Sequence, residues 1–183
     1  MLLGTSAPVR VVSTKLAEGQ TPQLRPADDN LLWPDGVVGS ITHTRGLCGV
    51  AVARFGGTVL GLGSDVEPDA GLPERIAQRV LTPDEQRRLA AEPDPSTRAR
   101  LATIAFSLKE AVFKCLQPIS NHGLTFADVE LLDTNDPTAT EVRPGPELAR
   151  RIPLHAELVC HYQRAGGFVL CGAMVRRRGS SQS

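Results

Sequence analysis

The chain has 183 residues, about the size of one domain, and its 20 Lys and Arg balance 20 Asp and Glu. This zero net charge gives the whole chain no field that favours nucleic acid or an anionic membrane. The share of hydrophobic residues, 41%, and of charged residues, 22%, excludes a disordered or fibrous chain. No run approaches the ~20 apolar residues of a membrane span, and the amino terminus lacks the pattern of a secretory signal. We therefore expect a cytosolic protein that binds neither nucleic acid nor membranes.

The four cysteines form no C-x-x-C pair and have no zinc-like spacing to the four histidines. We interpret them as reduced thiols that mostly pack in the core.

The first third of the chain predicts an irregular lead-in followed by a small antiparallel sheet. Residues 1–34 carry mixed Pro, Gly and polar signals without periodicity. Three segments rich in β-branched residues then follow, separated by tight turns. They are Val37–His43, Leu47–Arg54 and Thr58–Glu67.

Helices are predicted in the middle of the chain. Residues 73–80 have a helical pattern, and Thr82-Pro83-Asp84-Glu85 combines a capping box with a proline at the first helical position. After the loop at 92–95, Ser96 is a candidate cap for a helix of about twenty residues that Pro118 limits.

Three more strands are predicted beyond this helix, at 124–132, 157–164 and 168–175. We therefore expect an α+β fold of two similar subdomains, 35–95 and 96–178. Each is a small antiparallel three-stranded sheet packed with helices, and residues 179–183 form a disordered tail.

The third predicted strand ends in two carboxylates. Its period of two places Leu60, Leu62 and Val66 on one face and Gly61, Gly63, Asp65 and Glu67 on the other. The glycines leave room for a ligand or a helix to approach the backbone. An isolated D-x-E is more often a solvated strand end than a cation site.

The long helix carries two distinct faces. Its core stripe consists of Leu101, Ile104, Leu108, Ala111, Val112 and Cys115. Measured from Leu108, Glu110 and Lys114 lie at about 200° and 240°, flanked by Phe106 and Phe113. This Glu–Lys spacing is also typical of an exposed ion pair. The two rings favour a wall that faces another layer, where Glu110 meets Asp65 and Glu67.

Three such carboxylates are hard oxygen ligands suited to Mg²⁺, which also binds phosphate oxygens. Lys114, with Lys109 as a second candidate, would then neutralise those phosphates.

Three sequence blocks resemble a known family. They are WPDGVVGSITH at 33–43, LGSDVEPDAGLP at 62–73 and FSLKEAVFK at 106–114. With these blocks, the chain resembles a 4′-phosphopantetheinyl transferase of the larger, pseudo-dimeric type, in the enterobactin-synthetase branch. The resemblance runs from about residue 31 to the end and is weakest after residue 130.

The resemblance implies roles for seven residues in a magnesium-dependent transferase. Asp65, Glu67 and Glu110 are the implied metal ligands. Thr42, His43 and Lys114, with Lys109 as a neighbour, are the implied contacts to coenzyme A, and Glu110 and Lys114 are the implied catalytic pair. In this family the serine of an apo acyl- or peptidyl-carrier protein attacks the β-phosphate of coenzyme A, and 3′,5′-ADP is released. The implied protein is a monomer.

Two alternatives stay open. Where family members of this type usually carry a basic stretch before the tryptophan, this chain has Asp28-Asp29-Asn30-Leu31. A shortened, non-catalytic module that binds carrier proteins or coenzyme A is therefore the second hypothesis. The smaller, trimeric synthase type is the third, disfavoured by the length and by WPDGVVGSITH. An acidic carrier would suit a local arginine surface, although exposed helix charges are more often simply solvated. That surface is Arg75, Arg79, Arg87 and Arg88.

Overall fold

The computed structural model describes residues 10–15, 33, 35–55, 57–120, 124–132, 139–150 and 152–178. This part of the chain forms eight strands, four helices and a 3-10 turn at 126–128. The strands are β1 (Arg10–Lys15), β2 (Val37–Thr44), β3 (Leu47–Arg54), β4 (Val59–Pro68), β5 (Val129–Leu132), β6 (Ala139–Pro144), β7 (Ala156–Ala165) and β8 (Phe168–Arg177). The helices are α1 (Glu74–Val80), α2 (Pro83–Ala91), α3 (Pro95–Ser120) and α4 (Pro146–Ala149). Within the described ranges, no helix has the length and apolar character needed to cross a membrane.

The strands form two antiparallel sheets, one in the order β1-β3-β2 and one in the order β4-β8-β7-β6-β5. Small antiparallel sheets packed against helices confirm the expected α+β class. The grouping of the strands differs from the expectation, because β4 pairs with β8 and not with β3. Both β4 and β8 are ten residues long, and they pair with each other along almost their whole length.

Several expected boundaries shift. The lead-in contains β1, and the strand expected at 124–132 begins only at Val129, after the 3-10 turn. Neither β6 nor α4 was expected. The five-stranded sheet joins strands from both sides of residue 95, so the division there stays a prediction. The expected tail at 179–183 lies outside the described residues.

Helix α2 begins where its capping residues predict, and α3 begins slightly earlier than predicted. At α2, the Thr82 hydroxyl accepts a hydrogen bond from the backbone N–H of Glu85, and the Glu85 carboxylate accepts one from the N–H of Thr82. Helix α3 is capped two residues earlier than expected, by Asp94 in place of Ser96, because the Asp94 carboxylate accepts the backbone N–H of Thr97. Pro118 lies inside α3, which continues to residue 120.

Helix α3 covers one face of the five-stranded sheet and forms the main core. Four of its predicted stripe residues, Leu108, Ala111, Val112 and Cys115, are fully buried against apolar residues of β8. Leu101, expected in the same stripe, is 41% exposed. The first turns of α3 contact α1 through Ala102 instead, so the core stripe begins later along the helix.

Both faces of β4 are covered, and a helix approaches its glycine face, which is one of the two possibilities that the sequence left open. A β-bulge between Val59 and Gly61 shifts the alternation, so Leu60 packs on the α3 side while Leu62 packs with Ala51 and Met174. On the other side, Gly63 lies against the backbone of α3.

Side chains of β2 replace a backbone ladder along the outer edge of β4. The Ser40 hydroxyl accepts the N–H of Ser64 at 2.8 Å, and the Thr42 hydroxyl accepts the N–H of Val66 at 3.0 Å. These two bonds join the sheets and bring Thr42 next to the acidic end of β4.

Candidate functional site

Asp65 lies between β2 and α3 and is 6% exposed. Its Oδ1 accepts hydrogen bonds from Lys114 Nζ at 2.7 Å and from Thr42 Oγ1 at 3.2 Å. Its Oδ2 accepts one from Ser107 Oγ at 2.8 Å. One carboxylate therefore joins β4, β2 and two positions of α3 that are two helical turns apart.

Glu67 and Glu110 lie close enough to Asp65 to affect each other. Burial raises the pKa of Glu67 to about 7, with further increases from the negative charges of Asp65 and Glu110 and an opposing effect of Lys114. Burial also raises the pKa of Glu110, and the charge of Asp65 adds to this. The three expected carboxylates thus share one half-buried region, where like charges repel.

The donor set fits a hard divalent cation such as Mg²⁺, since it consists of carboxylate oxygens whose repulsion an ion would relieve. Among the described residues, however, no three His, Cys, Asp or Glu side chains already converge on a common point. The ammonium of Lys114 is paired with Asp65 Oδ1, and it also donates a hydrogen bond to the Ser64 carbonyl at 3.3 Å. A metal ion that binds through Oδ1 would therefore have to displace Lys114 from that oxygen.

The two expected contacts on β2 have different surroundings. Thr42 is buried and hydrogen-bonded to Asp65. His43 is exposed, and the alternation of a strand directs its ring to the opposite face of β2 from Thr42. The structure brings Thr42 and Lys114 to Asp65, and it leaves His43 outside this hydrogen-bonded cluster.

The structure corrects the expected position of Lys109. Its side chain is fully buried and paired with Glu85, at 2.7 Å from Nζ to Oε2. Nζ also donates to the backbone carbonyls of Val80, Phe126 and Val129 at 2.8 to 3.1 Å. Burial lowers the pKa of Lys109, and the partner Glu85 opposes that shift. Lys109 and Lys114 are about 140° apart around the helix, so they cannot share a face.

Comparison with known families identifies the chain. A model of the 4′-phosphopantetheinyl transferase superfamily matches residues 61–171, and a model of the 4′-phosphopantetheinyl transferase N-terminal domain matches residues 7–53. The chain belongs to the 4′-phosphopantetheinyl transferase superfamily. The first match contains Asp65, Glu67, Glu110 and Lys114.

Individual relatives agree with this assignment. The chain is 38% identical over 122 residues to the 4′-phosphopantetheinyl transferase Svp of Streptomyces mobaraensis, covering 65% of this chain and 49% of that protein. It is 31% identical over 131 residues to PptT of Mycobacterium tuberculosis, covering 70% and 56%. The chain thus spans about half the length of the curated relatives it matches.

Solved structures share the fold. The holo-[acyl-carrier-protein] synthase of Thermotoga maritima superposes with a TM-score of 0.52 at 24% identity, covering 66% of this chain and 65% of that one. The synthase of Bacillus anthracis, solved in complex with CoA (3′,5′-ADP), has a TM-score of 0.50 at 15% identity and covers 66% and 98%.

Sequence reasoning missed two polar side chains that support the superfamily motifs. Ser107 bonds to Asp65, and Glu85 bonds to Lys109 and to the backbone N–H of Leu131 at 2.7 Å. A signal for Ser107 was present, since it lies at about 260° on the helical wheel, next to Lys114. Glu85 carried only the signal of a helix cap, so its second partner was not visible.

Proposed function

We propose that this chain transfers the 4′-phosphopantetheine group from coenzyme A to a serine of an apo acyl- or peptidyl-carrier protein, and that magnesium is required. The observation that carries the proposal is the gathering of Asp65, Glu67, Glu110 and Lys114 in one half-buried region. Support comes from relatives named as 4′-phosphopantetheinyl transferases and from a fold shared with a synthase that holds coenzyme A.

The acidic and basic residues of the site have separate roles in the proposed reaction. Asp65, Glu67 and Glu110 would hold the magnesium ion, which neutralises charge on the diphosphate. Lys114 would exchange Asp65 for the phosphate oxygens, and His43, exposed on the other face of β2, remains the contact to coenzyme A that the resemblance implies. Lys109 has no part in phosphate binding, because its ammonium is buried against Glu85.

Glu110 is the base for the serine hydroxyl. A carboxylate beside the diphosphate can accept this proton directly or through a water molecule. As the proton moves to Glu110, the serine oxygen forms a bond to the β-phosphorus. The bond from that phosphorus to the bridging oxygen breaks, and 3′,5′-ADP leaves with the bonding electron pair.

We further propose that the protein is of the larger, pseudo-dimeric type, in the enterobactin-synthetase branch, and acts as a cytosolic monomer. Matches to an N-terminal-domain model and to the superfamily model lie one after the other in this single chain, which supports the larger type.

The test is incubation of the purified chain with coenzyme A, Mg²⁺ and an apo carrier protein, followed by intact-mass measurement of the carrier. We expect the mass of one phosphopantetheine to be added, and the addition to stop on chelation with EDTA. Glu67→Gln should lose this activity, whereas the control Glu147→Gln, at an exposed glutamate of α4, should keep it. An unmodified carrier beside a working control transferase would refute the proposal.

A second candidate is a non-catalytic module that binds coenzyme A or a carrier protein. Two observations favour this module: Lys114 donates a hydrogen bond to Asp65, and the described residues contain no group of three side chains that already converge as metal ligands. Calorimetry separates the two functions. The transferase binds coenzyme A more tightly with Mg²⁺ and loses this gain in Glu67→Ala, whereas coenzyme A binding that is indifferent to Mg²⁺ supports the module.

A further inference from the structure

Two hydroxyl groups hold the two oxygens of Asp65 from opposite sides. Thr42 Oγ1, from β2, donates to Oδ1 at 3.2 Å, and Ser107 Oγ, from α3, donates to Oδ2 at 2.8 Å. Both residues are buried, with 6% and 0% of their surface exposed. These bonds fix the plane of the carboxylate between two elements that are far apart in the chain.

The hydroxyl of Thr42 has no proton left for another acceptor. A hydroxyl has one proton and two lone pairs. Thr42 donates its proton to Asp65 and accepts the backbone N–H of Val66 at 3.0 Å. A contact from this hydroxyl to a phosphate would therefore need the bond to Asp65 to break. The described bonding favours support of the carboxylate over the phosphate contact that the resemblance implies.

Ser107 makes an unusual bond for a serine inside a helix. Such hydroxyls commonly return to the carbonyl four residues earlier, which is what Thr103 of the same helix does at 3.1 Å to Ala99. Ser107 bonds instead to a residue 42 positions away. A buried neutral donor aimed at a carboxylate fixes its orientation without adding charge.

The third donor to Asp65, Lys114, differs from these two in charge and exposure. Its side chain is 30% exposed, so it is free to exchange Asp65 for another anion. An ionised carboxylate offers about four lone-pair positions, and Thr42 and Ser107 take one on each oxygen. Departure of Lys114 therefore frees a position on Oδ1 while the carboxylate stays fixed.

We infer that Thr42 and Ser107 are positioning residues that hold Asp65 in the orientation needed to ligate the metal ion, and that the Thr42 hydroxyl is not a phosphate ligand. This inference rests on the proposed function, since it assigns a metal to Asp65. Partners of metal ligands typically change metal affinity or activity by about 10–100-fold when they are removed.

The test uses the full-length protein, Mn²⁺ as a spectroscopic substitute and coenzyme A. Electron paramagnetic resonance gives the affinity for Mn²⁺, and calorimetry in EDTA gives the affinity for coenzyme A without metal. We expect Thr42→Val and Ser107→Ala to weaken Mn²⁺ binding about 10–100-fold and to leave metal-free coenzyme A binding unchanged. Thr42→Ser, which keeps the hydroxyl, should retain the wild-type Mn²⁺ affinity.

Thr103→Val is the matched control, because it removes a buried hydroxyl of α3 that bonds only within its own helix. It should lower the melting temperature without changing Mn²⁺ affinity, which separates positioning from general stability. If Thr42→Val does not fold, Thr42→Cys and Ser107→Cys, which replace each hydroxyl with a weaker donor, give the same comparison. Ser107→Cys should fall between wild type and Ser107→Ala.

Two results would overturn the inference. One is that Thr42→Val and Ser107→Ala both bind Mn²⁺ as tightly as the wild-type protein does. If the wild-type protein still modifies a carrier, this result refutes the inference and leaves the proposed function intact. The other is weaker coenzyme A binding by Thr42→Val in EDTA, which would show that the Thr42 hydroxyl contacts a phosphate of coenzyme A. A wild-type protein that neither binds Mn²⁺ with coenzyme A nor modifies a carrier refutes both proposals.

Discussion

Gly63 shows how one missing side chain allows β4 and α3 to approach each other. A Cβ built at this position would lie 1.9 Å from the carbonyl oxygen of Ala111 and 2.6 Å from the backbone nitrogen of Cys115. Both groups belong to the helix backbone and cannot rotate away. The close approach carries Asp65, two residues on, to within reach of Ser107 and Lys114.

We therefore expect Gly63→Ala to lower the free energy of unfolding by about 3 kcal/mol, at the upper end of the usual effect of overpacking. Urea denaturation followed by circular dichroism measures it. Gly57→Ala is the matched control, because nothing lies within 4 Å of its added Cβ, and it should change stability by less than about 0.5 kcal/mol. Equal effects of the two substitutions would contradict the close packing of β4 on α3.

The cysteines confirm the prediction of mostly buried, reduced thiols. Burial raises the pKa of Cys115 and of Cys171 to about 12, and it raises the pKa of Cys160 well above its usual value. Cys48 is only partly buried. The thiolate is the reactive form, so the three buried cysteines should be inert in the native protein at pH 8.

Labelling of the native protein with iodoacetamide at pH 8, followed by peptide mass analysis, should modify Cys48 alone. After unfolding in guanidinium, all four cysteines should react. Rapid native labelling of Cys115 or Cys171 would contradict their burial between α3 and the five-stranded sheet.

At the level of single residues, the sequence motifs indicated which residues carry charge in the candidate site better than they indicated where each side chain points. Asp65, Glu67 and Glu110 were predicted as metal ligands from sequence blocks that resemble a known family, and the charge of Asp65 acts on the other two carboxyl groups. Lys109 was grouped with Lys114 only because both lie in one motif. The position that Lys109 takes depends on Glu85, a residue of another helix that no local pattern connects to it.

At the level of elements, the Lys109–Glu85 pair holds α2, α3 and β5 together. The pair is buried, and Glu85 also accepts the backbone N–H groups of Thr82 and Leu131. Removal of the ammonium would leave a buried carboxylate uncompensated and three carbonyls without their donor. The pair therefore anchors α3 at Lys109, the residue that directly precedes Glu110.

We expect Lys109→Met to lower the free energy of unfolding by about 3–5 kcal/mol, as for other broken buried ion pairs. The matched control is Arg87→Met, because Arg87 pairs with Asp84 on the exposed face of α2, with side-chain exposures of 77% and 56%. Such surface pairs contribute about 0–1 kcal/mol. Thermal and urea denaturation measure both variants, and a small loss for Lys109→Met would mean that its site is hydrated.

The elements that were predicted correctly have strong local signals. Capping residues and turn glycines mark the ends of β2, β3 and α2, and the long apolar stripe marks α3. Strand β6 pairs with β5 and β7 through few residues and has no such alternation, so only its partners reveal it.

At the level of the whole molecule, the pairing of β4 with β8 dominates the topology. The two strands are about a hundred residues apart in the chain, and Asp65 pairs with Cys171 at their middle. No local pattern encodes such a contact, which explains why β4 was assigned to the wrong sheet. The strand that carries Asp65 and Glu67 is therefore held in place by β8.

This pairing predicts that fragments 35–95 and 96–178 do not fold separately, since each would expose an unpaired ten-residue edge. Circular dichroism melts of each fragment should lack a cooperative transition, and mixing the fragments should restore part of it. A cooperative melt of either fragment alone would support the subdomain boundary at residue 95.

The only tryptophan of the chain, Trp33, lies across Gly39 of β2, where three of its ring atoms occupy the space that a Cβ would fill. Its indole thus touches the strand that continues to Thr42 and His43. Intrinsic fluorescence therefore supplies a built-in optical reporter: binding that shifts this strand should alter the emission, with no engineered label and no second indole to blur the signal.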